Sequence, residues 1–186
     1  KKTPKLVEDL VPGKLPLGTV TKVLQNLLNE SVVIKDMRTI IETLSDECGK
    51  TQDPEVLTSM VRPKLGRMII QNIVDADSTL EVMTLEPELE QIIHNVIQQS
   101  QGSQEVMLEP GLSEALFKAL KENTQEIEEL GKPAVLVVSP SVRPWLSRTV
   151  KHRTPDLTVL SYVEIPEDQA VKVIKTIELN LKNDKI

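Results

Sequence analysis

Cysteine, histidine and aromatic residues are all scarce in this sequence of 186 residues. Cys48 is the only cysteine, so the chain cannot close an internal disulfide, and two histidines are too few to complete a structural zinc cluster. Aromatic residues make up 2% of the chain, so a hydrophobic core has to be built from aliphatic side chains. We therefore expect no metal centre, and nothing in the composition calls for a cofactor.

Positive charge and long apolar runs are also lacking. Lysine and arginine total 22 against 28 acidic residues, which gives a formal net charge of −6. This sign disfavours nonspecific attraction to nucleic acid and to anionic lipid. No run of about 18 apolar residues occurs, so we expect this segment neither to cross a membrane nor to contact one directly. A helix-turn-helix nucleic-acid regulator is a weaker alternative, because the first helices carry few cations.

Apolar residues recur at helical spacing through the first 76 residues. Three stripes of positions three and four apart predict three amphipathic helices. The first follows Pro16, the second is capped by Asp36, and the third starts at Asp53-Pro54. Pro63 interrupts the third stripe, where we expect a kink or a helix end. A polar break at 75–78 then marks a domain boundary.

Patterns typical of strands dominate after this break. Residues 80–85 alternate apolar and polar side chains, and 134–138 form an apolar run typical of a strand covered on both faces. A further strand at 157–162 follows a crossover long enough for a helix, which predicts a βαβ unit with parallel strands. Residues 171–179 fit a strand or a helix, and their β-branched content favours the strand.

These patterns together predict an α+β chain with two parts. The first is an N-terminal all-helical subdomain at residues 1–76. The second is a small α/β subdomain at residues 77–186, which contains the βαβ unit.

Motifs of known catalytic chemistry are missing. Neither a G-x-S-x-G nucleophile turn nor a phosphate-binding G-x-x-x-x-G-K-[ST] loop occurs, and the chain has 7 glycines in all. Neighbouring carboxylates such as Glu128 and Glu129 do not converge on one substrate atom. We therefore predict no catalytic residue, no cofactor-binding residue and no metal ligand. The enzyme alternative is a small-molecule pocket at the strand ends, near Ser139 to Arg143.

One segment combines cations with the only tryptophan and carries no acidic residue. Its candidate partner-binding side chains are Arg143, Trp145, Arg148, Lys151 and Arg153. They follow the carboxyl end of a predicted parallel strand, where ligands and partners bind in open α/β sheets. A purely structural interpretation competes with this one. In it, Ser141 caps the helix, the tryptophan packs on the sheet, and the cations face the acidic residues between 122 and 129.

The order and spacing of several motifs resemble one protein family. These motifs are Leu6 to Pro12, Leu17 to Glu30, Ile34 to Leu44, and the turn from Val138 to Arg143 that leads into Leu146 and Arg148. They are similar to the cytoplasmic part of the flagellar member of the FHIPEP family of type III secretion export gates. The resemblance covers essentially the whole chain.

The resemblance implies a role in protein export without catalysis. Residues 1–76 are similar to the third, helical subdomain of the family's cytoplasmic region, and residues 77–186 to the fourth. In the family, this region forms a nonameric ring at the cytoplasmic face of the bacterial inner membrane, and the third subdomain takes part in ring contacts. The implied partners are neighbouring copies, chaperone–substrate complexes, the export ATPase complex with its stalk, and other export-gate membrane proteins. The family's chaperone-docking cleft lies mainly on two subdomains without counterpart in this sequence, so no docking residue is carried over.

Overall fold

The structure is a computed structural model that describes residues 3–100 and 107–179. These residues form two compact units. Unit 1 comprises the chain up to Ala76 together with the short segment Val163–Glu167. Unit 2 comprises Asp77–Tyr162 and the chain from Asp168 onward. Residues 163–167 are thus grouped with the N-terminal part of the chain.

Unit 1 is helical in its N-terminal part. Its helices are α1 (Thr3–Leu10), α2 (Leu17–Asn29), α3 (Met37–Glu47), α4 (Pro54–Lys64) and α5 (Gly66–Gln71). The starts of α3 and α4 follow the predicted caps, because Asp36 accepts from the Thr39 amide and Asp53 accepts from the Glu55 amide.

The structure adds one helix to the three predicted stripes and confirms the expected break near Pro63. Helix α1 was not predicted, although Leu10 at its end is completely buried. The third stripe is divided into α4 and α5, because Pro63 has no amide hydrogen and the helix ends at Lys64. The completely buried aliphatic side chains of this part include Leu10, Leu15, Val23, Leu27, Ile40, Leu44, Leu57 and Val61.

Unit 2 is a four-stranded sheet with helices. Its elements are β1 (Leu80–Leu85), α6 (Pro87–Gln99), α7 (Pro110–Glu129), β2 (Val135–Val138), α8 (Arg143–Val150), β3 (Thr158–Ser161) and β4 (Val171–Ile177). The strand order is β3-β2-β1-β4, and every pair is parallel. The predicted βαβ unit is confirmed as β2-α8-β3, and the ambiguous last segment is confirmed as a strand. The α+β class is therefore confirmed.

The hydrophobic core of unit 2 lies between one sheet face and its helices. Met83, Leu136 and Val159 contribute from three strands, and they pack with buried side chains of α6, α7 and α8. As the composition predicts, this core is mainly aliphatic, with Phe117 and Trp145 as its aromatic members. Among the helices of the described residues, none is both long and apolar enough to cross a membrane.

Candidate functional site

The helix α8 places two of the five predicted partner-binding residues in the interior. Arg143 is 3% exposed and Trp145 is 9% exposed. Trp145 belongs to a buried stripe of α8 that packs into the core of unit 2 with Leu146 and Val150. For these two residues the structural interpretation is the better one, because a buried side chain cannot meet a partner without rearrangement of the helix.

The other three predicted residues lie at the C-terminal end of α8 and in the turn that follows it. Arg148 lies in the last turn of α8, and Lys151 and Arg153 follow it in the turn toward β3. All three are exposed, as is His152 between them. We call Arg148, Lys151 and Arg153 the cationic surface.

Part of the cationic surface is held in place by an aromatic ring. The guanidinium carbon of Arg153 lies 4.5 Å from the ring centroid of Phe117 on α7, within the range of a cation–π interaction. The ring itself is buried in the core. The contact orders the Arg153 side chain while leaving the residue exposed. The side chain would therefore lose less conformational entropy on binding a partner.

Acidic residues on α7 were the expected counterparts in the structural interpretation. Two of them are engaged with lysines elsewhere: Glu126 pairs with Lys175 on β4, and Glu122 lies 4.0 Å from Lys118 on its own helix. These pairings reduce the negative charge that α7 can offer to the cationic surface.

The turn between β2 and α8 differs from the prediction that Ser141 caps the helix. The N-cap residue is Val142, and no side chain caps the helix. The Ser141 hydroxyl instead lies 2.8 Å from His94 Nδ1 and 3.2 Å from the Ser139 hydroxyl. It thereby ties the turn to helix α6, which carries His94.

The same turn is the place for the enzyme alternative. The serine hydroxyl lies close enough to the histidine nitrogen for the two to act as nucleophile and general base. Acyl transfer, however, also needs hydrogen-bond donors that are free to stabilise an oxyanion, commonly backbone amides. The Val142 and Arg143 amides both donate to the Ser139 carbonyl, at 3.1 and 3.0 Å, and Pro144 has no amide hydrogen. The Ser139 amide donates to Glu90 Oε1 at 2.5 Å. These donors are therefore already engaged within the protein, which gives the enzyme alternative no support.

Unit 1 contains a buried ionic cluster that sequence reasoning missed. The Arg62 guanidinium makes two hydrogen bonds to Glu164, from Nε to Oε1 at 3.0 Å and from Nη2 to Oε2 at 2.8 Å. Its Nη1 donates to Glu30 Oε2 at 2.6 Å. The side chains of Arg62 and Glu164 are 2% and 1% exposed. Arg62 lies 102 positions from Glu164, and no spacing rule connects residues so far apart.

The environment of Arg62 acts on its pKa in two opposing directions. Burial lowers the pKa of the guanidinium, but the hydrogen bonds and charges of Glu164 and Glu30 outweigh burial, so its pKa is raised above the usual value. Arg62 is thus a permanent buried cation that depends on its two carboxylate partners.

An open apolar groove lies at the C-terminal end of α2. Its volume is about 330 Å³, and it is lined by Leu28, Ser31, Val32, Val33, Ile34 and Lys35. Leu28 is 54% exposed, although the helical stripe predicts it on the buried face.

Residues 1–170 match the family model described as FHIPEP. The chain belongs to the FHIPEP family. It is 41% identical over 178 residues to the flagellar biosynthesis protein FlhA of Salmonella typhimurium, and 32% identical over 174 residues to that of Borreliella burgdorferi. The first alignment covers 94% of this chain and 24% of the Salmonella protein, and the second covers 94% and 25%. The chain thus spans about a quarter of the length of these FHIPEP relatives.

Solved structures of other proteins show a similar fold. The CdsV protein of Chlamydia pneumoniae superimposes with a TM-score of 0.84 at 29% identity, over 95% of this chain and 50% of that one. The nonameric SctV-C of EPEC superimposes with a TM-score of 0.82 at 26% identity, over 95% and 52% of the two chains. The similarity therefore extends across both units.

Within the described residues, no three histidine, cysteine, aspartate or glutamate side chains come together as a group that could hold a metal ion.

Proposed function

We propose that this chain is a non-enzymatic cytoplasmic module of a flagellar type III protein export gate, which contributes to ring assembly and to the docking of export partners. The observation that carries the proposal is the 41% identity to flagellar FlhA over 94% of the chain. Fold alone would not support a function, but sequence similarity at this level, over nearly the whole chain, supports a shared role. The module would lie at the cytoplasmic face of the bacterial inner membrane, anchored through other parts of the protein.

Ring assembly is supported by related structures that are nonameric. Two of them, SctV-C of EPEC and the cytosolic domain of EscV, superimpose with TM-scores of 0.82 and 0.75. A closed ring uses two different faces of each copy, one for each neighbour. Surfaces of residues 6–75, which are similar to the third subdomain of the family, are the candidates for these contacts.

Docking of partners is assigned to the cationic surface of unit 2. Its three exposed cations stand out on a chain whose formal net charge is −6, so they form a local attraction for an acidic segment. The CdsV protein, which shares this fold, was also solved in complex with CdsO, which supports an export-apparatus partner. Partners of this class include the stalk of the export ATPase complex, chaperone–substrate complexes and other gate proteins.

Charge reversal tests the docking proposal. In the complete cytoplasmic region of the protein, Arg148→Glu/Lys151→Glu should weaken binding of the ATPase stalk by about tenfold. Added salt should likewise weaken binding of the stalk by the unchanged protein. Lys172→Glu/Lys175→Glu on β4, at the opposite edge of the sheet from β3, changes the net charge equally and serves as the matched control. Equal binding by both double variants and the unchanged protein would refute the assignment.

A ring is tested separately by the mass of the assembled region. Native mass spectrometry of the complete cytoplasmic region should give nine copies. A monomer at every protein concentration, including the highest that can be reached, would refute the ring proposal.

A further inference from the structure

The segment Val163–Glu167 takes an unusual path. Strand β3 ends at Ser161 and β4 begins at Val171, and both belong to the sheet of unit 2. Within the chain between them, Val163–Glu167 nevertheless belongs to unit 1. We call Val163–Glu167 the strap. Only Tyr162 separates the end of β3 from Val163, and three residues separate Glu167 from the start of β4.

The strap contributes one fully buried side chain to unit 1. Glu164 is 2% exposed and is its only fully buried residue. Val163 and Glu167 are exposed, and Ile165 and Pro166 are half-buried. The Glu164 carboxylate fits the guanidinium of Arg62 with two parallel hydrogen bonds, and Glu30 occupies the remaining side of Arg62. A two-pronged contact of this kind fixes position as well as charge.

The backbone of the strap is fitted to the break between α4 and α5. A Cβ atom at Gly66 would lie 2.1 Å from the Glu164 carbonyl oxygen, a distance that real Cβ atoms do not reach. The glycine therefore lets the strap approach α5 more closely than any other residue allows. Arg62 and Gly66 flank the helix break at Pro63, so the side chain and the backbone of Glu164 are both received at this one break.

Docking and release of the strap differ in how the charge of Arg62 is compensated. When the strap is docked, the charge of Arg62 is compensated by Glu164 and Glu30; when it is released, water can solvate the same charges. Release would uncover the half-buried side chains of Ile165 and Pro166 in addition to the carboxylate of Glu164. Buried ion pairs often contribute less stability than apolar packing would, and the best-attested use of such pairs is to select one arrangement.

We propose that the strap is a releasable latch, in which docking of Glu164 between Arg62 and Gly66 couples the order of α4–α5 to the ends of strands β3 and β4. The coupling follows from chain continuity, since one residue links the strap to β3 and three residues link it to β4. This inference rests on the geometry of unit 1 and does not depend on the proposed role in export.

Hydrogen exchange of the full chain, followed by mass spectrometry, tests the latch. In Glu164→Gln, which keeps the size of the side chain but removes its charge, exchange should rise at least tenfold in 54–71 and in 162–171. The centres of β1 and β2 should keep the exchange rates of the unchanged protein. Glu167→Gln removes an exposed carboxylate from the same strap and should change nothing. No increase in Glu164→Gln, or an equal increase throughout the chain, would overturn the proposal.

A second measurement needs no substitution. In low urea, the unchanged protein should show the amides of the strap and of α4–α5 opening together, at a lower urea concentration than those of β1 and β2. Independent opening of the strap and α4–α5 would overturn the latch, even if Glu164→Gln failed to fold.

Discussion

Gly66→Ala is the substitution whose effect the structure defines most sharply. The new Cβ would stand 2.1 Å from the Glu164 carbonyl oxygen and 3.1 Å from its carbonyl carbon. The backbone of Glu164 cannot move away freely, because its side chain is held by Arg62 at 2.8 and 3.0 Å. Either the strap or the start of α5 has to shift.

The expected loss of stability is larger than the gain from helix propensity. Overpacking of a tight site costs about 1 to 3 kcal/mol, whereas alanine in place of a helical glycine contributes about 1 kcal/mol. The difference between the two, up to about 2 kcal/mol, is the amount by which we expect Gly66→Ala to lower the free energy of unfolding. Gly18 and Gly111 lie near the starts of α2 and α7 with nothing within 4 Å of a new Cβ, so alanine there should stabilise by about 0.5 to 1 kcal/mol.

Urea unfolding followed by two probes measures this effect. Circular dichroism reports the helices of both units, and Trp145, the only tryptophan, reports unit 2. The Gly66→Ala transition should move to lower urea in circular dichroism. If Gly66→Ala proves as stable as Gly18→Ala, the close approach of the strap to α5 is wrong.

Three further predictions concern packing, capping and pH. Leu136 is completely buried at the centre of β2, so Leu136→Ala should cost about 2 to 5 kcal/mol in urea unfolding, and Val137→Ala, at a half-buried position, should cost clearly less; equal losses would contradict the register of β2. Asp36→Ala should cost about 1 kcal/mol because the cap of α3 is lost, and Asp36→Asn should restore most of it. Hydrogen bonds from the Thr39 hydroxyl and amide lower the pKa of Asp36, so its contribution should be fully present above its ordinary value of about 3.9 and should disappear as the pH falls through the lowered value. If the stabilisation that Asp36 provides increased as the pH fell, the predicted pH dependence would be wrong.

Periodic patterns carried most of the fold prediction. Helices α2 and α3 present a repeat of 3.6 and strand β1 a repeat of 2, whereas β2 is a continuous apolar run; burial imposes each of these patterns on the sequence. Helix α1 was missed because its short span offers too few apolar positions to establish a repeat. Leu28 was placed on the buried stripe by its spacing, yet it is exposed where α2 ends beside the open groove.

The candidate site was predicted only in part, for reasons of charge and distance. A cation is ordinarily an exposed residue, so sequence reasoning placed Arg143 on the surface with Arg148 and Lys151, whereas the structure buries it. The same bias hid Arg62, whose burial is made possible by Glu164, a partner 102 positions away. Contacts of this kind depend on tertiary structure and leave no local pattern.

Secretion by the source organism tests the central claim most directly. An in-frame deletion of the codons for this segment, within the complete gene, should stop the appearance of flagellar filament protein in the culture medium, and the intact gene should restore it. Filament protein should remain detectable inside the cells, because the deletion should block its export and not its synthesis. Undiminished filament protein in the medium, with the truncated gate protein detectable in the membrane, would contradict the assignment of this chain to the flagellar export gate.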